Sequence, residues 1–533
     1  MFRATLPRRG ERGLPALSAI LFALCYPPLH PLVLPFLALV PLALFVVARE
    51  AGSDGAASAA RGGALFALVH FGLVLHWLPI ALAWFTPLAL IPYLLGLALL
   101  TVFGGLLGRA LHHAVHTLRA PLWLALPVAW TAVEWGLAHL PGTLAFPWLG
   151  LGTTLTGFPE LVGIAEVIGA RGVSFWIALV NGLVACVLLT VEKGRSAGSP
   201  GPLHRTLTGQ GIAVLITAAV PMGWGVWRTT TIDEWTVGRI AILQPNLSQG
   251  TRLDSVLVRD STFATLDRLV PQVPPGSVDL AVLPEMLLPI EPADSQYAAD
   301  VERLRSYARE MGAPLLFGAR GRAVVGEDSP LNSAFLLETG GLADFRYDKH
   351  RLVPVVERAL YIPLGVPEYL RPRGDFVPGE GWPLAEVDGV GYGVMICFEA
   401  AFADVARSLS GAGADVLVNL TNDAWFGRDL SHARTGALWQ HPAHLVMRAI
   451  ETRTAVVRVG NAGLSFWVDP GGRVRDRIGL FEEGVRIAEI RSSDVTTIYV
   501  EYGDLLGNAS GAGGLLLLLS AWWSWWRVRR DGV

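Results

Sequence analysis

The sequence has little cysteine and little charge. Only 3 of its 533 residues are cysteines, and Asp, Glu, Lys and Arg together make up 16%. Cys25 and Cys186 lie in long apolar runs, while Cys397 stands alone in the more polar part of the chain. These cysteines cannot form a disulfide framework. The formal net charge of -3 provides no basic field for a phosphate backbone, which excludes nucleic acid as a partner.

Apolar residues are abundant instead. They make up 52% of the chain, and the mean hydropathy is +0.45. A soluble protein of this length is less apolar, so we expect a membrane-embedded region. A helix needs roughly 20 apolar residues to span a bilayer, and about eight segments qualify. They lie at 14–28, 31–48, 63–84, 88–110, 120–139, 159–191, 209–228 and 508–526. Pro27, Pro28 and Pro31 separate the first two, which can also form one re-entrant pair.

Basic residues are distributed unequally between the connections. They lie before the first segment and after the second, fourth, sixth and last, whereas the alternate connections carry no Lys or Arg. The positive-inside rule then places both termini in the cytoplasm. The long stretch between the seventh and eighth segments lies on the far side, which for a bacterial inner membrane is the periplasm. We predict a transmembrane helical region over 1–228, a periplasmic domain over 229–507, and a C-terminal transmembrane helix with a cytoplasmic tail over 508–533.

Histidines are the clearest polar groups within or beside the predicted spans. His70 and His76 lie in the third segment, and we expect bonds to a neighbouring helix rather than a proton path. His112, His113 and His116 have the spacing of a metal cluster, but they lie at a helix end between two arginines. We therefore expect no metal site there.

In the predicted periplasmic domain the apolar runs shorten to strand length. Helical patterns, such as Ala298–Met311 and His444–Arg453, separate several of them, which indicates an α/β domain. Polar residues stand near strand ends, including Glu285 and Cys397, and Lys349 lies in Tyr-Asp-Lys-His. Taken singly, they are explained by a salt bridge, an inert buried thiol and a solvated lysine. Together they supply what a thiol with a pKa of about 8.5 needs for reactivity, a base and a cation.

Three motifs carry a family resemblance: Leu283-Pro-Glu-Met, Tyr347-Asp-Lys-His and Ile396-Cys-Phe-Glu. They resemble the Glu-Lys-Cys triad of the nitrilase superfamily, which implies an αββα sandwich for the soluble domain. With the helical membrane region, Phe146-Pro-Trp-Leu-Gly and Asn419-Leu-Thr-Asn-Asp-Ala-Trp-Phe-Gly, the chain resembles the bacterial apolipoprotein N-acyltransferase family over nearly its whole length. The resemblance implies transfer of a phospholipid acyl chain to the N-terminal amine of a diacylated apolipoprotein, without a cofactor. We expect a monomer.

The resemblance also implies roles for particular residues. Cys397 is the nucleophile that carries the acyl group as a thioester, and Glu285 is the general base. Lys349 stabilises the oxyanion, aided by the backbone N–H of Phe398. Glu357 matches a second family glutamate that supports the lysine and the acyl intermediate, although a surface salt bridge would also explain it.

Two further expectations concern the surroundings of Cys397. Glu399, two residues after Cys397, alternates to the same strand face and can line the same cleft, while Phe398 packs on the opposite side. Trp425 and Phe426 are suited to a mobile cover that excludes water, together with the Pro- and Gly-rich stretch 363–383.

One departure from the family pattern lies at Leu253, where the family often has a tryptophan that is associated with the substrate cleft. The departure leaves the triad intact and concerns lipid binding.

Two other functions fit the same residues. A membrane-tethered amidase would use the same triad with water as the acceptor. A lipid-binding protein with an inactive domain would need no triad, and the intact Glu285, Lys349 and Cys397 argue against it.

Overall fold

The computed structural model describes residues 13–148, 150–197, 201–248, 255–323, 329–359, 375–427 and 431–530. Its first part is helical, and one more long helix follows the α/β domain. The helices of this region are α1 (Leu14–Ala23), α2 (Val40–Val47), α3 (Ser53–Val74), α4 (Leu78–Leu82), α5 (Leu90–His116), α6 (Leu122–Ala138), α7 (Ala165–Ala197), α8 (Gly201–Arg228) and α14 (Leu505–Arg530). Five of them, α3, α5, α7, α8 and α14, are long and apolar enough to cross a membrane.

The remaining apolar helices of ten or more residues are shorter, with at most 17 residues. They are α1, the segment Leu34–Val47 that contains α2, and α6. The boundaries of the third predicted segment also differ, because α3 starts at Ser53 rather than at 63 and ends at Val74 rather than at 84.

Small residues at the contact between α3 and α5 explain part of the packing of these two helices. A Cβ on Gly63 would lie 2.1 Å from the carbonyl oxygen of Gly104, so only glycine permits this approach.

The α/β domain contains two six-stranded mixed sheets. The strands are β1 (Trp235–Gln244), β2 (Leu280–Val282), β3 (Leu315–Arg322), β4 (Pro330–Glu338), β5 (Gly341–Asp348), β6 (Leu384–Val387), β7 (Val390–Ile396), β8 (Val416–Thr421), β9 (Ala455–Gly460), β10 (Ser465–Val468), β11 (Val474–Ile478) and β12 (Gly484–Ser492). The first sheet has the order β12-β1-β2-β3-β4-β5, and the second has the order β11-β10-β9-β8-β7-β6. In each sheet the three strands β1-β2-β3 or β7-β8-β9 run parallel.

The sheets face each other and carry helices on their outer faces. Along β1, Ile240 and Ile242 belong to the core shared with the second sheet, while Ala241 and Leu243 belong to a separate core. Alternate side chains of β1 thus enter two different cores, as expected for a strand whose two faces are both covered. Helices α9 (Ser255–Leu269) and α10 (Ala298–Met311) cover the first sheet, and α11 (Ala403–Gly411) and α12 (Ala437–Thr452) cover the second. The prediction of an α/β domain is confirmed.

The helical region packs against the second sheet's helix layer. Helix α12 contacts α7, and the short helix α13 (Ile498–Tyr502) lies beside it. Gly169 in α7 has φ +68°, and a Cβ at this position would lie 2.4 Å from the ring of Tyr499. A glycine is therefore required where α7 kinks against α13. Helix α12 starts at Ala437, seven residues before the predicted His444, so it reaches further toward the helical region.

Candidate active site

The polar residues near the strand ends converge on one edge of the two sheets. Glu285 follows β2, Lys349 follows β5, Cys397 follows β7, and Asn422 follows β8. Since β7 and β8 are parallel neighbours, their carboxyl ends lie side by side. Cys397 has φ +51°, a left-handed conformation that is strained for a residue with a side chain. The nucleophile candidate thus lies on a sharp turn at a strand end.

Lys349 lies between two carboxylates. Its buried Nζ donates to Oε1 of Glu285 at 3.1 Å and to Oε1 of Glu357 at 2.9 Å. Nδ2 of Asn332 donates to the same two oxygens at 2.9 and 2.8 Å. Burial by itself lowers the pKa of Lys349, but Glu285 and Glu357 outweigh burial and raise the pKa above its ordinary value. The ammonium therefore stays charged although it is enclosed.

Glu285 also faces the second sheet. Its Oε2 accepts from the backbone N–H of Asn422 at 3.1 Å. Glu357 is fixed from its own loop, because its Oε2 accepts from the backbone N–H of Val353 at 2.7 Å. The structure thus brings together Glu285, Lys349 and Glu357, and it excludes the surface salt bridge as an explanation of Glu357, which is 7% exposed.

The thiol of Cys397 is buried, and its surroundings favour the protonated form. Burial and the nearby Glu285 raise its pKa well above the ordinary value, while Lys349 and a hydrogen bond with Thr421 act in the opposite direction. A thiol in this state is not nucleophilic by itself. It requires a base in reach when the substrate is bound, and Glu285 is the carboxylate that acts on it most strongly.

A second buried cluster holds the backbone of Cys397. Nε2 of His441 donates to the carbonyl oxygen of Cys397 at 3.0 Å, and Nδ1 lies 3.0 Å from Oδ1 of Asp423. Arg458 donates to Oδ2 of Asp423 and, at 2.7 Å, to Oδ1 of Asn419. Burial opposes ionisation of Asp423, but Arg458 and His441 outweigh burial and hold its pKa well below the ordinary range. These groups fix the turn that carries the thiol.

The expectation for Glu399 and Phe398 is wrong in its geometry. Strand β7 ends at Ile396, and residues from Cys397 to Ala401 form a 3-10 turn, so strand alternation does not apply. Phe398, rather than Glu399, shares the cavity with Cys397. Glu399 is fully buried and accepts from the hydroxyl of Tyr347 and from three backbone N–H groups, those of His350, Arg351 and Ile396.

Cys397 opens onto an apolar cavity of about 130 Å³. Phe398, Trp425 and Phe426 line it from the α/β domain, and His441 contributes a polar edge. The rest of the lining comes largely from the helical region. It includes Leu75, Trp77, Leu78, Leu82, Tyr93, Leu97, Leu100, Leu137, Leu144, Phe146 and Trp148. A thiol at the end of an apolar cavity between two regions is suited to a substrate with an alkyl chain.

Trp425 and Phe426 lie against the helical region. Their rings stack with centroids 4.7 Å apart. Trp425 contacts Phe85 edge-on at 5.4 Å, and Phe426 contacts Trp77 at 5.1 Å. Nε1 of Trp425 donates to the carbonyl oxygen of Asn422 at 2.6 Å. Both aromatic residues are therefore at the cavity, beside Cys397.

Several sequence expectations have no structural counterpart to compare. Three of them fall outside the described residues: Leu253, residues 363–374 of the stretch 363–383, and the basic residues among the first twelve. In the described part of the chain, no three His, Cys, Asp or Glu side chains are grouped to hold a metal ion. His112 bonds to the carbonyl oxygen of Glu50, and His113 bonds to the hydroxyl of Ser520.

Sequence reasoning missed Asn332 and His441. Asn332 lies inside β4 with no local motif, and only the register between β4 and β5 brings it to Lys349. His441 stands one turn inside α12, in Trp439-Gln-His, where it resembles any histidine on a buried helix face. Neither residue can be identified as functional without knowledge of the fold.

The comparisons with known proteins cover both regions. The family model described as carbon-nitrogen hydrolase matches residues 239–499, and the one described as apolipoprotein N-acyltransferase N-terminal domain matches residues 18–183. An apolipoprotein N-acyltransferase of Geobacter metallireducens is 30% identical over 528 residues, with 96% of this chain and 95% of the relative covered. Another from Ralstonia nicotianae is 31% identical over 481 residues, with 86% and 83% covered.

Among solved structures, an amidase of the nitrilase superfamily from Nesterenkonia matches 51% of this chain and 96% of its own. The sequence identity is 21%, and the TM-score is 0.34.

Proposed function

This chain belongs to the apolipoprotein N-acyltransferase family, and we propose that it transfers an acyl chain from a phospholipid to the N-terminal amine of a diacylated apolipoprotein. The acyl chain passes through a thioester on Cys397. The observation that carries this proposal is the position of the Cys397 thiol, which opens onto an apolar cavity lined by both the helical region and the α/β domain. Amide substrates of a soluble amidase need no such cavity, whereas an acyl chain does.

In the first half-reaction, Glu285 takes the proton of the Cys397 thiol, and Sγ attacks the carbonyl carbon of the phospholipid ester. The ammonium of Lys349 and the backbone N–H of Phe398 stabilise the negative charge on the carbonyl oxygen. The C–O bond then breaks, and the departing lysophospholipid oxygen takes the proton from Glu285. The products are a thioester on Cys397 and a lysophospholipid.

In the second half-reaction, the N-terminal amine of the apolipoprotein attacks the thioester carbon. Glu285 takes a proton from the amine nitrogen as the C–N bond forms, and Lys349 again stabilises the oxyanion. The C–S bond breaks, and the thiolate receives the proton. Glu357 supports this cycle by fixing Lys349, to which it is bonded at 2.9 Å.

Glu399 fixes the loop that follows Lys349. It bonds the backbone N–H groups of His350 and Arg351 and, from the other side, that of Ile396 directly before Cys397. We assign Glu399 to the alignment of the nucleophile and the oxyanion stabiliser. Trp425 and Phe426 are assigned to a cover over the acyl cavity, supported by their position in its lining.

The apolar helices and the family membership indicate an inner-membrane protein. Our proposal for its topology keeps the eight predicted spans, formed by the five long helices, α1, the α2 segment and α6. It also keeps both termini in the cytoplasm and a periplasmic catalytic domain over 229–507, between helical parts at 1–228 and 508–533. The distribution of Lys and Arg supports this orientation. We also propose a monomer, because each residue assigned to the reaction comes from one chain.

The test uses the purified full-length protein in detergent with a phospholipid. Mass spectrometry should detect one acyl group on Cys397, and a diacylglyceryl-cysteine peptide should remove it and gain an amide-linked acyl chain. Release of free fatty acid with no acylated peptide would indicate the membrane-tethered amidase. Absence of any adduct on Cys397, in a preparation that still acylates the peptide, would contradict the thioester.

A further inference from the structure

A second cavity lies directly behind the acyl cavity. It has a volume of about 80 Å³ and extends between α3, α5, α6, α7 and α12. Leu137, Phe146 and Trp148 line both cavities. Because the same three side chains line both cavities, the wall between the cavities is one side chain thick.

The second cavity differs from the first in its chemistry. Three buried polar atoms on its lining residues, Nδ1 of His70, Nε2 of His444 and Nη1 of Arg448, have no hydrogen-bond partner among the residues that the structure describes. Each of these side chains belongs to a residue that is at most 2% exposed. Buried polar atoms without a protein partner are generally bonded to water. One water needs roughly 10–15 Å³ of such space, so the cavity has room for several.

The charges around this cavity also favour water over an apolar occupant. Arg171 is paired with Asp504, and Nε of Arg448 lies 2.9 Å from Oε2 of Glu451. A medium that can donate and accept stabilises such pairs, whereas an alkyl chain does not. We therefore assign an internal cluster of waters to this cavity, which we call the polar chamber.

Trp148 is the largest member of the wall and is firmly held. Its Nε1 donates to Oε1 of Gln440 at 3.2 Å, and the same oxygen accepts from Nε1 of Trp77 at 3.1 Å. Its ring packs against Phe398 at 6.2 Å on the side of the acyl cavity and against His444 at 5.3 Å. Phe398 is adjacent in sequence to Cys397, so this ring stands between the polar chamber and the thioester.

We infer that Trp148, together with Leu137, separates the waters of the polar chamber from the acyl group on Cys397 and thereby directs the acyl group to the amine. This inference rests on the proposed function. Without the wall, a water molecule attacks the thioester carbon, a C–O bond forms and the C–S bond breaks. One water proton returns to the thiolate, and the products are a free fatty acid and the thiol of Cys397. Trp148 is thus a specificity-determining residue for transfer over hydrolysis.

Two leucines of the acyl cavity provide a matched pair of variants. Leu137 is 7% exposed and lines both cavities, whereas Leu100 is 6% exposed and lines only the acyl cavity. Leu137→Ala opens the wall, and Leu100→Ala enlarges the acyl cavity without reaching the polar chamber. Both substitutions change how well the acyl chain fits, so both can slow acylation by the phospholipid. Only the first is expected to shorten the lifetime of the thioester in water.

The experiment starts from the full-length acyl-enzyme, formed with a phospholipid and separated from the excess lipid. Mass spectrometry follows the loss of the acyl group in buffer without an acceptor, and fatty acid is measured in parallel. We expect Trp148→Ala to shorten the thioester lifetime on the order of tenfold or more, and Leu137→Ala to shorten it less. Leu100→Ala should keep the lifetime of the unmodified protein. With a diacylglyceryl-cysteine peptide, the ratio of fatty acid to acylated peptide should follow the same order.

Equal lifetimes for Leu137→Ala and Leu100→Ala would overturn the inference, whether or not Trp148→Ala folds. If Trp148→Ala does not fold, Trp148→Leu replaces it, and an unchanged lifetime in that variant also overturns the inference. Failure of the proposed function is a separate result, because then the unmodified protein itself forms no acylated peptide.

Discussion

Two clusters of buried charge flank Cys397, and they use their hydrogen-bonding capacity differently. In the first, Lys349 is shared between Glu285 and Glu357, and Oδ1 of Asn332 has no partner within the described part of the chain. Among the described residues, Oε2 of Glu285 accepts from one backbone N–H, that of Asn422. This cluster, the Lys349 cluster, therefore retains unused acceptor capacity.

The second cluster, the Asp423 cluster, is saturated. Oδ1 of Asp423 accepts from Thr421 and faces His441, and Oδ2 accepts from Arg458. Arg458 also donates to the carbonyl oxygen of Leu464 and to the side chain of Asn419, so each of its three nitrogens is bonded. A saturated ionic network fixes geometry, whereas a partly open one can exchange a proton. We propose that the first cluster performs chemistry and that the second holds the turn of Cys397.

The largest effect should come from the residue between the clusters. Cys397→Ala removes the atom that carries the acyl group, and the small change in volume leaves both ionic networks in place. We expect loss of transfer by at least about a thousandfold and no acyl adduct in mass spectrometry. Cys186→Ala, which changes a half-buried thiol in α7, is the matched control and should keep both the transfer rate and the acyl adduct. If Cys397→Ala transferred the acyl chain at nearly the rate of the unmodified protein, the comparison of the two clusters around Cys397 would have no basis.

Lys349→Met tests whether the Lys349 cluster serves the reaction or only the stability of the fold. It leaves the carboxylates of Glu285 and Glu357 buried without their cation, and removing one partner of a buried ion pair costs about 3–5 kcal/mol. The two carboxylates then share a proton, which weakens Glu285 as a base. We expect a rate loss of roughly a hundredfold or more in the folded protein, together with a lower thermal inactivation temperature. A variant that is less stable but equally active would show that this cluster is structural.

Arg458→Met is the corresponding change in the Asp423 cluster. It leaves Asp423 buried without its guanidinium and should also cost about 3–5 kcal/mol of stability. The activity of the fraction that remains folded should fall by only about tenfold, since Arg458 acts on the turn through Asp423 and His441. The measurement combines thermal inactivation with the rate per folded molecule below the transition. A loss as large as that of Lys349→Met, at unchanged stability, would reverse the assignment of the two clusters.

The residues around Cys397 differ in how far the sequence reveals them. Glu285, Lys349 and Cys397 stand in local motifs near strand ends, and their joint chemistry can be inferred without a fold, whereas Glu357 is identified only by the family resemblance. Asn332 and His441 are positioned by strand register and by the packing of α12, which are long-range contacts that no local pattern encodes. The alternation expected for Phe398 and Glu399 is wrong for the same reason, because the pattern does not show where β7 ends. Five of the eight predicted membrane segments correspond to helices that are long and apolar enough to cross a membrane, because long apolar runs are visible in the sequence. Their contact with the α/β domain depends on single positions such as Gly169.

The smallest effect concerns Glu399, which belongs to neither cluster and bonds the loops on both sides of Cys397. Burial raises its pKa to about 7, although Lys349 and three backbone N–H groups favour the carboxylate. A carboxyl group whose pKa is raised on folding contributes stability at low pH that is lost as the pH rises through the folded value. Unfolded glutamate has a pKa of about 4.3, so this contribution should disappear between about pH 4.5 and 7.5.

Glu399→Gln should flatten the dependence of stability on pH, because the amide does not titrate. The amide also loses acceptor capacity toward Tyr347 and Ile396, so the variant should be less stable at low pH and closer to the unmodified protein near pH 8. The measurement is the thermal inactivation temperature of both proteins across this range. Asp423 does not interfere, because its pKa is lowered and its contribution is fully present above the unfolded value of about 3.9. Equal slopes in the two proteins would mean that Glu399 is ionised throughout, and its four donors would then outweigh its burial.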